Sequence, residues 1–290
     1  MANLKEIRSR ITSVGSTMQI TSAMKMVSAA KLKRAQDAIT QMRPYSIKLQ
    51  EILSNLSATL DLSENVYSEE RPVNNVLIIA ISSNRGLCGG FNNNVIKTVN
   101  QLINVEYAGK NLGLVCLGKK VTDAFKKSSF LIPSSELGVE DIFANLTFEN
   151  ASQVVEHAMH LFTAKKYDKV VVVYNSFINA ANQQVMAEQL LPVIPTKNEG
   201  ETNTGDYIFE PSKKEIVEEL IPKALKIQFF KALLDSNASE HGARMTAMHK
   251  ATDNASELKR NLTLSYNKAR QAAITNEILE IVGGAEALNN

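Results

Sequence analysis

The sequence is poor in cysteine and in bulky aromatic residues, and each shortage excludes a class of protein. Only two cysteines, Cys88 and Cys116, occur among 290 residues; they are far apart and neither belongs to a CxxC pair. We therefore expect no disulfide framework, no zinc site and a reducing compartment. Tryptophan is absent and the aromatic share is 6%, which favours long helices over one thick core.

Long hydrophobic runs are also missing. No apolar stretch is long enough to cross a bilayer as a helix. The N-terminal segment "MANLKEIRSRI" lacks the apolar centre of a signal peptide and carries Glu6, which is untypical of a transit peptide. The sequence therefore predicts a cytosolic chain of bacterial type, with room for one large or two modest domains.

The net charge of +2 hides an uneven distribution along the chain. Residues 1–55 carry nine Lys or Arg against three Asp or Glu, and residues 241–270 carry six against two. The middle of the chain is correspondingly acidic. Two solvated helix faces would explain this pattern, and so would an acidic protein partner or a nucleic acid.

Both chain ends have the periodicity of long helices. Apolar residues near the N-terminus recur in steps of three and four, at Leu4, Ile7, Ile11, Val14 and Met18. Residues 243–282 contain neither Gly nor Pro, enough for roughly 60 Å of helix. One heptad seam follows this segment, diluted by small and polar residues: Met248, Thr252, Ala255, Lys259, Leu262, Tyr266, Ala269 and Ala273. We expect the two ends to pair as an antiparallel coiled coil.

The middle of the chain alternates between strand and helix patterns. Continuously apolar runs at 75–82, 112–118 and 169–176 are typical of strands covered on both faces, and helical stretches near 92–106, 119–127 and 150–165 separate them. A further strand is predicted within 184–195. The expected fold is α/β plus a long coiled coil, with a small, mainly parallel sheet flanked by helices. The predicted boundaries are an N-terminal helix at 1–60, an α/β domain at 73–195, a loop and foot segment at 196–211, and a C-terminal helix at 212–286.

The loop "SSNRGLCGGFNNN" (82–94) tests whether the chain binds a nucleotide. A phosphate-binding P-loop needs a Lys and a Ser or Thr after its last glycine, whereas Phe91 and Asn92 follow here. The spacing of Gly86, Gly89 and Gly90 does not fit a dinucleotide fingerprint either. We interpret the loop as a tight strand-to-helix turn, with Asn92 to Asn94 capping the next helix and Arg85 available to a partner.

Other catalytic candidates are weak. His157 and His160 are three residues apart on a predicted helix, but no third metal ligand lies nearby in sequence. His241 and His249 are expected to be exposed or to face a partner, and Cys88 could be reactive near a helix start. No catalytic triad, paired-carboxylate site or nucleophile elbow is present, so we expect no catalytic residue, no metal and no cofactor.

Long motifs at both chain ends identify a family. The segments "KEIRSRITSVGSTMQITSAMKMVSAAKL" (5–32), "ARMTAMHKATDNA" (243–255) and "YNKARQAAITNEILEIVGGAEA" (266–287) resemble the termini of the gamma subunit of bacterial F-type ATP synthases, and "SSNRGLCGGFN" resembles the family's central loop. The resemblance covers the whole chain. Asn84 departs from the acidic residue common in that loop, and the dithiol insertion of chloroplast members is absent. The family's C-terminal pattern is met at Ile274, Thr275, Glu277, Glu280, Gly284 and Ala285.

This resemblance implies a rotor and not an enzyme. Members form a central stalk inside a ring of three alpha and three beta subunits, with catalysis on the beta subunits, and couple ion flow to sequential change at those sites. The implied partners are the alpha and beta subunits, the epsilon subunit and the ring of c subunits, with no nucleic acid. Membrane association would be peripheral and indirect, at the cytoplasmic face of the inner membrane.

The resemblance also implies which residues contact partners. Met24, Lys25 and Arg85 would contact the acidic lever region of the beta subunits, and Arg270 and Gln271 their catch loop. Tyr207, Phe209 and Glu210 would touch the c ring. Packing within the chain is the alternative for Met24, Tyr207 and Phe209, and solvation or pairing along the helix is the alternative for Lys25 and Arg270.

Two other functions are compatible with the residues alone. A small α/β nucleotide- or metabolite-binding protein with a coiled-coil adaptor would show saturable ligand binding by the isolated chain. A coiled-coil tether for nucleic acid would bind polyanions with a steep salt dependence.

Overall fold

The computed structural model describes residues 4–59, 65–133, 141–193 and 213–288. The chain divides into two compact units. The helical unit combines Met1–Ser28 with Met245–Asn290, and the α/β unit consists of Ala29–Arg244. The prediction for Tyr207, Phe209 and Glu210 lies outside the described residues.

Two long helices supply the whole of the described helical unit and part of the α/β unit. Helix α1 spans Leu4–Thr59 and helix α5 spans Lys213–Leu288. Long stretches without Gly or Pro favour both, since these two residues are the poorest helix formers. Pro44 lies inside α1 and Pro222 inside α5, so each helix continues beyond the proline-free segment that the sequence pattern identifies.

The α/β unit contains one five-stranded sheet in the order β3-β2-β1-β4-β5. Strands β1, β2, β3 and β4 all run in the same direction. Strand β5 pairs antiparallel with β4 at one edge of the sheet. The predicted strands are therefore confirmed, including the one in 184–195, while the two-residue strand β3 was not predicted. The bounds are β1 Asn75–Ile81, β2 Asn111–Leu117, β3 Leu131–Ile132, β4 Lys169–Phe177 and β5 Gln183–Leu191.

Shorter helices connect the strands. Helix α2 spans Phe91–Gln101 and runs into a π-helical turn, Leu102–Glu106. Helix α3 spans Lys119–Phe125, and helix α4 spans Phe148–Thr163. Thr147 caps α4 by accepting a hydrogen bond from the Asn150 backbone N–H, which satisfies one of the free donors of the first turn.

Both faces of the sheet are buried because successive strand residues point to opposite sides. On β1, Leu77, Ile79 and Ile81 belong to one apolar cluster, together with side chains of α4 and α5. Val76, Ile78 and Ala80 belong to a second cluster with side chains of α2 and α3. The fold class predicted from the sequence, α/β with a mainly parallel sheet plus long helices, is confirmed.

Candidate functional site

The helices of the helical unit run antiparallel, as the contacts between them show. The Thr252 hydroxyl donates to the Thr21 hydroxyl at 2.8 Å, and Lys25 Nζ lies 3.4 Å from His249 Nδ1. Moving from Thr21 to Lys25 along α1, the contacted residue on α5 moves back from Thr252 to His249. The pairing predicted for the two chain ends is present in the structure.

The seam between these helices is narrow and built from small or polar side chains. The eight seam positions predicted on α5 are all buried or half-buried, with Met248 at 4% and Ala255 at 8% exposure. On α1, Ile7, Thr21 and Ser28 are buried in the same unit. Because most of the remaining surface is exposed, both helices present long outer faces that could contact a partner.

Met24 and Lys25 lie at the border of this seam. Both are half-buried. Lys25 contacts His249, whose Nδ1 atom is 3.4 Å from a carboxylate oxygen of Asp253. Lys25 therefore belongs to a small polar cluster that joins the two helices, and it is not an isolated solvated charge.

Arg270 and Gln271 lie on the exposed face of α5. The Gln271 carbonyl accepts a hydrogen bond from the Thr275 hydroxyl at 2.9 Å. The helix beyond them exposes large apolar side chains, which is costly in water unless a partner covers them: Ile274, Ile278, Leu279, Ile281 and Val282, at 48–71% exposure.

The loop after β1 has a buried polar centre. Asn92 Oδ1 accepts hydrogen bonds from both the backbone N–H and the hydroxyl of Ser83, at 3.0 and 2.9 Å. The Asn92 amide also lies 3.1 Å from Cys88 Sγ, which is 2% exposed. Helix α2 begins at Phe91 without a side-chain cap. The predicted asparagine cap is therefore wrong because Asn92 bonds back to the strand end, and a reactive Cys88 is not supported because its thiol is buried.

The tip of the same loop projects two large side chains. Arg85 is exposed, and Leu87 is 64% exposed with a φ of 61°. A left-handed backbone at a residue other than Gly costs energy and is typical of functional loops. Gly89 has a φ of 60°, a conformation that glycine adopts without a Cβ penalty. The loop therefore holds Arg85 and Leu87 on the surface of a rigid turn.

Arg244 of α5 holds this loop in place through hydrogen bonds to its backbone. Its guanidinium donates to the carbonyl oxygens of Arg85 and Gly86 at 3.0–3.3 Å, and to Glu240 at 2.7 Å. Arg244 is 7% exposed and Glu240 9%. Burial raises the pKa of Glu240, an effect that Arg244 opposes. The sequence did not indicate this cluster, because the loop carbonyls are far from Arg244 along the chain.

His241 lies beside the cluster and is half-buried, so the expectation that it is exposed is wrong. Its Nδ1 atom is 3.5 Å from an Arg244 nitrogen. Burial, together with the charges of Arg244 and Lys31, lowers the pKa of His241 to about 4. The imidazole is therefore neutral at physiological pH.

Helix α5 occupies the crevice where doubly wound folds bind ligands, the point at which strand order reverses between β1 and β4. The Ser239 hydroxyl donates to the Asn175 carbonyl at 3.0 Å, and Ala243 packs against Cys88 and Phe91. This packing agrees with the sequence argument against a nucleotide in the loop.

Asn84 and the histidines of α4 complete the set of sequence candidates. Asn84 donates to Asp141 at 2.8 Å and accepts from the Lys119 backbone N–H at 3.0 Å, so the residue that departs from the family pattern still ties the loop to its neighbours. Within the described ranges, no group of three His, Cys, Asp or Glu side chains could hold a metal ion. None of the helices described there is both long and apolar enough to span a membrane.

Comparisons with known proteins converge on one family. The ATP synthase family model matches residues 3–288. The ATP synthase gamma chain of Christiangramia forsetii is 62% identical over 290 residues, covering 100% of both chains, and that of Flavobacterium psychrophilum is 60% identical over 289 residues, covering 99% of both. Among solved structures, a chain of the Euglena gracilis mitochondrial ATP synthase (OSCP/F1/c-ring, rotational state 3) matches with a TM-score of 0.68 and 21% identity, covering 98% of this chain and 94% of that one.

Proposed function

The chain belongs to the ATP synthase gamma family, and we propose that it is the central-stalk rotor, which couples ion flow through the membrane part of the enzyme to sequential change at the catalytic sites. The observation that carries this proposal is the end-to-end match to gamma chains at 60–62% identity. The antiparallel pair of long helices supports it, since a slender shaft suits rotation inside a ring. The alternative of a nucleotide-binding adaptor is not favoured, because α5 fills the crevice that a ligand would need.

The shaft, by which we mean the helical unit, contacts the surrounding ring of alpha and beta subunits through exposed charged and exposed apolar side chains. The two chain ends carry an excess of Lys and Arg, which complements acidic lever segments on surrounding beta subunits. Met24, Lys25 and Arg85 serve this contact. The apolar residues after Arg270 are suited to an apolar lining where the ring encloses the tip of α5, since burial of such side chains is favourable.

Arg270 and Gln271 make a contact that forms and breaks as the shaft turns. Arginine presents a planar fork of donors to a carboxylate or carbonyl, and glutamine adds a neutral donor and acceptor. A charged hydrogen bond worth about 1.5–3 kcal/mol is strong enough to bias one rotor angle and weak enough to be released at the next. Catalysis itself belongs to the beta subunits, and the gamma chain contributes only mechanical coupling.

The remaining partners follow from the family resemblance. The epsilon subunit and the ring of c subunits bind at the end of the stalk near the membrane, and the chain is held peripherally at the cytoplasmic face of the inner membrane. Tyr207, Phe209 and Glu210 form the contact with the c ring.

Changing Glu210 to Lys is expected to reduce ion pumping while ATP hydrolysis by the detached catalytic part stays intact. Equal loss of both activities would assign Glu210 to folding.

Co-purification tests the rotor assignment directly. The tagged chain, expressed in place of the resident gamma chain, is expected to bring down an assembled complex with ATPase activity. Recovery of the chain alone, or with nucleic acid, would contradict the assignment.

The double change Arg270→Ala with Gln271→Ala tests the contact at the tip. If one such bond stabilises the slow step, turnover per assembled complex falls about tenfold. Arg260→Ala is the matched control, since it removes an exposed arginine of the same helix. Normal turnover in the double variant would exclude the proposed contact, and failure to assemble, checked by native mass, would assign these residues to structure.

A further inference from the structure

We propose that Arg244, Glu240 and Gly242 form a locked joint between α5 and the loop after β1, through which the α/β unit turns the helix. The proposal rests on the rotor function above. Arg244 is the last residue of the α/β unit, and α5 continues from it without a break into Met245. Torque that enters the α/β unit must therefore be passed to α5 before the helix leaves that unit.

Apolar packing alone would hold α5 without fixing its rotation. Upstream in the α/β unit, α5 is buried through Ile221, Leu225, Phe229 and Leu233. Such contacts are non-directional, since hydrophobic burial depends on area and not on angle. Gln228 and Ser239 add hydrogen bonds to Glu188 and to the Asn175 carbonyl, and a further directional contact at the exit of α5 would resist twisting at the point where torque leaves the unit.

Arg244 supplies that directional contact. Its planar guanidinium binds two consecutive carbonyls, of Arg85 and Gly86, and also the Glu240 carboxylate one turn earlier on the same helix. Bonds in several directions from one rigid group allow only one rotational setting of the helix against the loop. Glu240 holds the guanidinium in place on its own helix, and slippage would separate the buried Arg244 from the two loop carbonyls, which leaves polar groups without partners away from water.

Close approach of the backbones adds a steric lock. A Cβ atom built on Gly242 would lie 3.2 Å from Ala180 Cα and 3.4 Å from the Phe177 ring. Glycine therefore lets α5 lie close to the end of β4 and the turn after it, where a Cβ would require its neighbours to shift by a few tenths of an ångström. On the other side, the Ser83, Cys88 and Asn92 contacts stiffen the loop that receives the guanidinium.

Replacement of Arg244 in the assembled complex tests the joint. Arg244→Ala is expected to lower the number of ions pumped per ATP hydrolysed severalfold. Amide hydrogen exchange in residues 83–92 should rise about tenfold or more, the factor that corresponds to losing one charged hydrogen bond. Arg244→Lys should recover only part of the ratio, because an ammonium can pair with Glu240 but lacks the fork. Lys223→Ala removes an exposed cation of α5 outside the two basic chain ends; it is the control and should match the wild type in both measurements.

A disulfide cross-link between α5 and the loop gives a second measurement, which distinguishes loss of the joint from a general loss of structure in the Arg244→Ala variant. Ala243 packs against Cys88, so Ala243→Cys places a second thiol beside the first, and refolding of the chain in oxidised glutathione, before both thiols are buried, converts the pair to a disulfide that ties helix to loop, with two molecules of reduced glutathione released. If the joint is rigid, the disulfide leaves the number of ions pumped per ATP hydrolysed unchanged in a complex with no other substitution. In a complex that also carries Arg244→Ala, the disulfide restores this number. Reduction should bring the defect back.

The outcomes separate the joint from the rotor function itself. An assembled, ATPase-active complex in which Arg244→Ala pumps normally would overturn the joint while leaving the rotor assignment in place. Loss of pumping when the disulfide forms in the otherwise wild-type chain would also overturn it, by showing that loop and helix must move apart. This second measurement decides the matter even if Arg244→Ala fails to assemble. Absence of any complex with the wild-type chain would instead contradict the rotor function.

Discussion

The α/β unit and the helical unit bury different kinds of side chain. The largest fully buried residues, including Phe162, Phe229 and Leu77, all belong to the α/β unit. Within the described part of the helical unit, the buried residues are Ile7 and Met248 together with the small or polar Thr21, Ser28 and Ala255, and none of them belongs to the largest fully buried side chains. The first unit is therefore specified by close packing of large groups, while the second depends on the internal hydrogen bonds of its helices and on a thin seam.

This difference fits two mechanical tasks. A domain that receives torque must not deform, and a core packed on both faces of a sheet resists deformation. A shaft that turns inside a ring must keep its outer surface for partners, so it has little apolar area left to bury within itself. Stiffness along the shaft then comes from unbroken helix and not from a core.

The largest effect is expected from the core of the α/β unit. Phe229 is fully buried, and Phe229→Ala should cost about 3–5 kcal/mol of unfolding free energy because it removes apolar area and leaves a cavity. Urea unfolding of the full chain measures the loss, and Phe229→Leu is the control that retains most of the volume. A loss below about 1 kcal/mol would mean that the unit can collapse around the gap, and that its core is less tightly packed than the burial indicates.

Breaking the shaft should cost nearly as much but act locally. Leu262→Pro removes one backbone hydrogen bond of α5 and clashes with the carbonyl four residues earlier, at about 3 kcal/mol or more. Hydrogen exchange is expected to rise in the neighbouring turns of α5 while strands β1 and β4 keep their protection. Leu262→Ala retains the helix and controls for the lost side chain. Loss of protection throughout the chain would show that the two units unfold together.

Sequence patterns predicted the long, regular elements and missed the short ones. The seam from Met248 to Ala273 follows from heptad spacing and the three longest parallel strands follow from continuous apolar runs, and the structure confirms both. The predicted C-terminal helix at 212–286 already includes Pro222, against helix propensity, and burial of the neighbouring Ile221 and Leu225 offsets the cost of the proline. Strand β3, with two residues, is too short to show any period.

In the candidate site, the sequence likewise predicts exposed positions but not the contacts between residues that are remote along the chain. The exposed positions of Arg85, Arg270 and Gln271 agree with what the family resemblance implies, and their contacts stay predictions. Arg244 was not singled out, because the carbonyls that it binds lie in a loop remote in sequence. Asn92 looks like a helix cap in the sequence, yet Ser83 competes successfully for its side chain. Contacts of this kind depend on tertiary structure and leave no local pattern.

A pH experiment can separate the joint from the rest of the α/β unit. The pKa of His241 is about 4 in the folded chain and about 6.5 when unfolded. The folded state therefore binds fewer protons between these values, and stability that is complete above pH 6.5 is lost as the pH falls towards 4. After allowance for solvent screening at a half-buried site, we expect about 1 kcal/mol of loss between pH 7.5 and pH 5.

His241→Gln should remove this loss, since glutamine does not titrate. The comparison uses urea unfolding at both pH values, so that carboxylates common to the two chains cancel. His249→Gln is the matched control, an exposed histidine on the same helix, and it should keep the wild-type loss. If wild type and His241→Gln respond alike to pH, His241 is not held neutral by burial.

The smallest effect is expected at a hydroxyl pair that joins the two helices of the helical unit. Thr252 donates to Thr21 at 2.8 Å across the seam. Thr252→Val keeps the shape of the side chain and removes this donor from the buried Thr21 hydroxyl, which keeps its own hydrogen bond to the Met18 carbonyl. A loss of about 1 kcal/mol, the net value of one hydrogen bond, is expected. Hydrogen exchange of α5 amides between residues 245 and 262 measures it locally.

The double variant Thr21→Val with Thr252→Val determines what this pair contributes. Replacing both partners by apolar groups of the same shape removes both hydroxyls and is expected to return the seam to within about 0.5 kcal/mol of the wild type. The hydroxyl pair would then set which residues face each other in the seam without adding to its strength, as in other helix pairs where a polar contact selects the register. A double variant that is weaker than either single one would show instead that the shaft relies on this hydrogen bond, and that its seam differs from the core of the α/β unit in kind as well as in area.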